Sequence, residues 1–288
     1  MSDTSAESMA TAPVSMDLPH ESFRSNAGKF GAAIEDLTVG LGRVSLWSTL
    51  AWEEFGARYH RSFFGILWAF FGFIMFAVAI IFFVGAIMGP AVEDMVLHIL
   101  FGFLFFQLLS SQIMDGANVF VTSAGWISSV RMPLSVFVYR GIARNLITFF
   151  FSVLGAGLML IVTGYVPPAG AWWAIPGLIV TIFNTVWVYL LLGTITSRFR
   201  DFGHLLGNFV RMAIFFTPVM WLPGDGGLRG FIGDINPLTH FIEIMREPLL
   251  HGTVPILSWQ IVAGMTVVGN ILGLLVFVRF RPKIVFWI

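Results

Sequence analysis

From Ser62 to Val92 the chain meets no charged side chain. A helix crosses the hydrocarbon core of a bilayer in about 20 apolar residues, so this run is long enough to span a membrane. It follows directly on the basic, aromatic segment Arg58-Tyr59-His60-Arg61. Composition agrees: 57% of residues are hydrophobic and 11% charged, whereas a soluble domain needs about 25% charged residues. A formal charge of zero argues for neither a nucleic-acid binder nor a binder of acidic substrates. The lack of cysteine removes disulfides, thiolate nucleophiles and sulfur-ligated metals. Residues 1–28 are rich in Ser, Ala, Thr and Pro and hold no apolar core behind a basic start. That pattern is not a cleavable signal peptide, and residues 1–40 are expected to form a disordered cytoplasmic tail.

Uncharged apolar runs near 64–88, 96–114, 145–163, 173–195, 205–222 and 260–278 predict six transmembrane helices. Pro167 and Pro168, beside Gly164 and Gly170, divide the uncharged stretch 145–197 into two of them. An even number puts both termini on one side. Arg24, Lys29, Arg43, Arg58 and Arg61 precede the first run, and Arg131, Arg140 and Arg144 lie between the second and third. Arg198 and Arg200 follow the fourth, and Arg279, Arg281 and Lys283 follow the sixth. The positive-inside bias then makes both termini cytoplasmic. Val44, Trp47, Ala51, Phe55 and Tyr59 recur at helical steps, which predicts an interfacial amphipathic helix over 41–61. It serves either as an anchor or as a docking surface. The six-span domain occupies 62–288.

Missing residues narrow the chemistry. Ion-coupled transport needs ionisable groups at membrane depth, and the first, third, fourth and sixth runs have none. No histidine pair is spaced for an intramembrane metalloprotease, and no embedded carboxylate pair suggests an aspartyl site. The one Gly-Lys pair, Gly28-Lys29, lacks the upstream glycine of a phosphate loop. Energy for uphill movement must therefore come from another polypeptide, and no catalytic residue, cofactor or metal site is expected in this chain.

Four segments carry a resemblance. They are Arg58-Tyr59-His60-Arg61-Ser62 with Gly65 and Trp68, Arg131-Met132-Pro133, Arg198-Phe199-Arg200-Asp201 leading to Pro218-Val219, and Asn236-Pro237-Leu238-Thr239 through Glu243 and Arg246 to Gly252. In this order the chain, over about 45–288, resembles the membrane subunit of type-2 ABC exporters for O-antigen, capsule or teichoic-acid-like polymers. It departs from the family at Gly72-Phe73, where a proline often stands. The resemblance implies an all-α homodimer of six-span subunits in a bacterial inner membrane. Two copies of a cytoplasmic ABC ATPase would bind ATP and Mg, and a lipid-linked glycan of the undecaprenyl-pyrophosphate type would be moved outward.

It also implies roles for residues. Arg131, Pro133 and Arg140 would lie in a loop that couples to the ATPase, or the arginines would hold lipid headgroups. Arg58, Arg61, Arg198, Arg200 and Asp201 would form a cytoplasmic gate or ion pair. Phe70, Phe76, Phe209, Phe215, Phe216 and Trp221 would line the path, offering sugar rings apolar faces. Arg211, inside the fifth run, either snorkels to headgroups or meets an anionic pyrophosphate. Asn236, Pro237, Glu243 and Arg246 belong to an outer segment that forms re-entrant helices or an amphipathic hairpin. Small residues at Gly65, Ala69, Gly72 and Ala79 fit a close helix interface, within one subunit or between two. Two readings from other classes are an intramembrane glycolipid-processing enzyme and a membrane assembly factor without a pore.

Overall fold

In lipid a backbone must satisfy its own hydrogen bonds, so long apolar runs fold as helices. The computed structural model describes residues 28–59, 64–65, 67–88, 93–222 and 227–288. These form eleven α-helices and one 3-10 turn. The helices are α1 (Lys29–Gly42), α2 (Val44–Tyr59), α3 (Leu67–Met88), α4 (Glu93–Thr122), α5 (Ala124–Ser129) and α6 (Ser135–Thr163). After the turn Ala169–Trp173 come α7 (Ala174–Arg198), α8 (Arg200–Phe216), α9 (Gly227–Ile235), α10 (Pro237–His251) and α11 (Ile256–Trp287).

Among the described residues four stretches are long and apolar enough to cross a bilayer: Asp94–Ser129, Ser135–Thr163, Ala169–Arg198 and Ile256–Trp287. Leu67–Phe83 of α3 is a shorter apolar helix. α8 has 17 residues, about 26 Å at 1.5 Å per residue. The fifth run, expected over 205–222, thus begins earlier and stops at Phe216. There Thr217 and Pro218 turn the chain, with the Thr217 N–H bonded back to the Ala213 carbonyl.

Helix α4 is the central pillar: 67% of its apolar window is buried, against 22–39% for the other three stretches. Glycines set how closely its neighbours approach. A Cβ at Gly193 of α7 would stand 3.0 Å from the Gly116 carbonyl of α4. The fully buried Tyr189 ring lies between Gly116 of α4 and Gly141 of α6, and the Asn145 amide donates to its hydroxyl at 3.1 Å. On α11, Gly269 and Gly273 make room for Trp187 of α7. Outward faces carry Phe150, Ile161, Ile179, Phe183, Val267 and Ile271 exposed, as lipid contact requires.

The tail expectation is corrected over 29–40, which are the greater part of α1. Its inward face is Ala33, Asp36 and Gly40, two small residues and an acid rather than an apolar stripe. These small side chains let α1 lie against α6, where Asp36 finds its partners. Residues 1–27 are outside the described residues. Over 41–61, where an interfacial helix is expected, the described residues hold the end of α1 and the helix α2 (Val44–Tyr59), with Ala51 and Phe55 buried and Phe55 stacked on Phe151 at 5.5 Å.

Candidate functional site

At one end of the bundle, α4 gives way through Ser123 to the short α5, which buries no residue. Trp126, Val130 and Arg131 are exposed there. Pro133 is buried and leads the chain back into α6. The Asp36 carboxylate fixes that return, because it accepts from the N–H groups of Leu134 and Ser135 at 3.2 and 2.9 Å. First-turn amides of a helix lack partners in their own helix, so α1 caps α6 from outside. Arg281 of α11 completes the joint with Nη2 and Nε at 2.7 and 2.8 Å from Asp36.

Arg140 is only 4% exposed. Its guanidinium meets Glu54 of α2 at 3.0 Å and donates to the Ser123 hydroxyl at 2.8 Å. It is therefore occupied inside the chain, which corrects the expectation that it faces an acidic partner or headgroups. Arg144, one turn on, bridges Glu54 at 2.8 Å and Asp115 at 2.5 Å. This network ties α2, α4 and α6 beside the projecting α5. Of the coupling residues expected, Arg131 alone presents its side chain outward. Sequence reading did not find Glu54 or Asp36, whose partners lie 86–98 positions or more away along the chain.

Arg58, Arg198, Arg200 and Asp201 are all exposed. Among the described residues none of them makes an ion pair, so the expected pairing of this group is not formed within one chain. Arg198 lies instead over the rings of Phe199 and Trp287, each at 5.7 Å. Arg61 is outside the described residues.

Helix α8 has two unlike sides. Gly203, Gly207, Val210 and Ala213 are buried, with Gly203 against Asn118 and Gly207 against Met114 of α4. The other side exposes His204, Asn208 and Arg211 in one row. Phe209, Phe215 and Phe216 are 69%, 71% and 53% exposed there. Arg211 donates to the Asn208 side-chain Oδ1 at 2.5 Å, a local bond that holds the guanidinium along the helix. Trp221 is partly buried and donates to the Phe215 carbonyl at 3.1 Å. Phe76 of α3 stacks on Phe103 of α4 at 3.4 Å, and Phe70 packs edge-on to Phe71, so both are engaged within the chain.

At the other end, Asn236 caps α10 by accepting from Leu238 N–H at 2.9 Å. Pro237 fits the first helical position, where no N–H partner is needed. The Asn236 amide also donates to Thr217 Oγ1 at 2.8 Å and to the Phe216 carbonyl at 3.1 Å. Arg246 is 1% exposed, and its Nη1 donates to the Pro218 carbonyl at 2.7 Å. The same nitrogen is 3.1 Å from His98 Nε2 of α4. Glu243 accepts from Ser258 of α11 at 2.5 Å. Of the four residues expected in an outer segment, Asn236, Glu243 and Arg246 thus tie α10 to the end of α8, α11 and α4, and Pro237 starts the helix. His98, whose Nε2 also lies 3.1 Å from the Pro218 carbonyl, is part of this latch.

Residues 39–250 match the family model described as ABC-2 type transporter. The chain is 22% identical over 236 residues to a Klebsiella pneumoniae protein described as O-antigen export system permease protein RfbA, covering 80% of this chain and 90% of that protein. A Myxococcus xanthus protein of the same description is 24% identical over 220 residues, covering 73% of this chain and 84% of its own length.

Proposed function

This chain belongs to the ABC-2 type transporter family, and from that premise we propose that it is the permease subunit of an ATP-driven exporter carrying a lipid-linked polysaccharide of the O-antigen class across a bacterial inner membrane. The observation that carries the reading is the nearly full-length likeness to O-antigen export permeases from two bacteria. The permease supplies the path. A separate ABC ATPase, in two copies, supplies the energy with ATP and Mg.

Six spans follow when α3 and α8 are counted with the four longer stretches, and both termini are then cytoplasmic. In this reading α5, with Trp126 and Arg131 outward, is the projection that enters the ATPase. The polar and aromatic side of α8 is unsuited to lipid, since Arg211 and His204 would be unsolvated in hydrocarbon. It lines the translocation path in a homodimer, with Arg211 toward the diphosphate of the substrate and the phenylalanines toward its sugars. On α3, a Cβ at Gly72 would meet nothing within 4 Å, which favours contact with a second copy over packing within one chain. α9 and α10, latched through Asn236 and Arg246, act as a re-entrant pair at the outer exit.

Deleting this gene from its bacterium should abolish surface polysaccharide and leave lipid-linked glycan on the cytoplasmic leaflet, with restoration by the plasmid-borne gene. Surface polymer at the normal level in the deletion strain would overturn the reading.

A further inference from the structure

The inner ends of α7 and α11 splay around a cleft of about 520 Å³, where Arg198 lies over Phe199 and Trp287. Its size lies within the range of small-ligand sites, about 300–1,000 Å³. Ile195 and Val276 form an apolar floor, and Phe199, Phe280 and Trp287 form aromatic walls. Among the described residues the only charged ones lining it are Arg198 and Lys283. Among the described residues neither has a carboxylate within 4 Å. Arg140, Arg144 and Arg281, by contrast, are all paired with acids inside the chain. Two unneutralised cations over an apolar, aromatic cleft at the end of two spans match the chemistry of an anionic headgroup with its acyl chain. Basic pockets between spans on the cytoplasmic side bind such headgroups.

We propose that this cleft holds an anionic phospholipid of the inner leaflet, with its phosphate between Arg198 and Lys283 and its acyl chain along Val276 and Phe280. The assignment rests on the orientation given under the proposed function. Trp287 has two parts here: its ring supports the Arg198 guanidinium at 5.7 Å, and its position beside Phe280, 5.7 Å between ring centroids, closes the far wall.

The test is lipid retention by the purified full chain in detergent, read by native mass spectrometry with phosphatidylglycerol and phosphatidylcholine of matched acyl chains. A cation near an anionic surface contributes roughly fivefold, so the two together should give about a thirty-fold preference for phosphatidylglycerol. The double variant Arg198→Gln/Lys283→Gln should lose that preference. Ile195→Trp, which fills the floor and keeps both charges, should lower retention of both lipids. Arg279→Gln, on the same helix but outside the cleft, should leave the preference intact.

Preference that persists in the double variant, or falls equally in Arg279→Gln, would overturn the assignment in favour of diffuse charge. Displacement of phosphatidylglycerol by inorganic pyrophosphate but not by inorganic phosphate would also overturn it and give the cleft to the substrate diphosphate. Because the readout is bound lipid in detergent, it is independent of whether the chain exports polysaccharide.

Discussion

Arg246 shows how one side chain can determine the course of a segment. Its guanidinium, buried among α4, α10 and the turn after α8, satisfies the Pro218 carbonyl where no water reaches. Arg246→Met would keep much of the volume and remove the charged donor to that carbonyl, leaving it only His98 Nε2 at 3.1 Å, at about 1.5–3 kcal/mol for a hydrogen bond to a charged group. Its melting temperature in detergent should fall, and an unchanged value would show that the latch carries no stability. Arg144 allows a sharper measurement, because Glu54 and Asp115 both neutralise it. Either Glu54→Gln or Asp115→Asn alone leaves one partner; together they leave a mostly buried cation with none. The double variant should therefore lose more stability than the sum of the single losses, by about 1 kcal/mol or more. Strict additivity would mean that the two acids act separately.

Helix α1 depends on one carboxylate. Asp36→Asn retains a single acceptor where two oxygens now take two amides and a guanidinium. Hydrogen exchange at Leu134 and Ser135 should quicken, and protease should cut within α1, while the spans keep their protection. Unaltered exchange would show that the cap is dispensable. In α8 the prediction concerns transport: at equal expression Arg211→Gln should lower export, with partial recovery in Arg211→Lys. Full export by the glutamine variant would remove Arg211 from the path. The apolar helices were legible in the sequence because hydrocarbon permits few alternatives, and the Pro-Gly turn marked a true boundary. α1 was not, because Ala33, Asp36 and Gly40 make a packing face without an apolar stripe. The stop of α8 was missed because Val219, Met220 and Trp221 continue an apolar run whose course is set by Asn236 and Arg246 from another helix. Arg140 was misjudged for the same reason: local spacing gives no sign of Glu54, 86 residues before it.

At the scale of the whole molecule, the exposed small residues of α3 and the aromatic side of α8 define faces that one copy leaves uncovered. Since the chain has no cysteine, Gly72→Cys would introduce a single thiol. It should give a disulfide-linked dimer in membranes under mild oxidation if α3 meets its copy, whereas Phe183→Cys, on an exposed lipid-side position of α7, should not. Equal cross-linking at both sites would dismiss α3 as the interface. The joint at Asp36 carries a further consequence, for biogenesis. Its partner Arg281 lies 245 residues later in the chain, an interval of roughly 12–50 s at about 5–20 residues per second of synthesis. Leu134 and Ser135 emerge long before it. Helix α1 can thus dock on α6 early, but it is fastened to α11 only after that helix has been made. A nascent subunit with α1 only half secured is in this way distinguishable from a finished one.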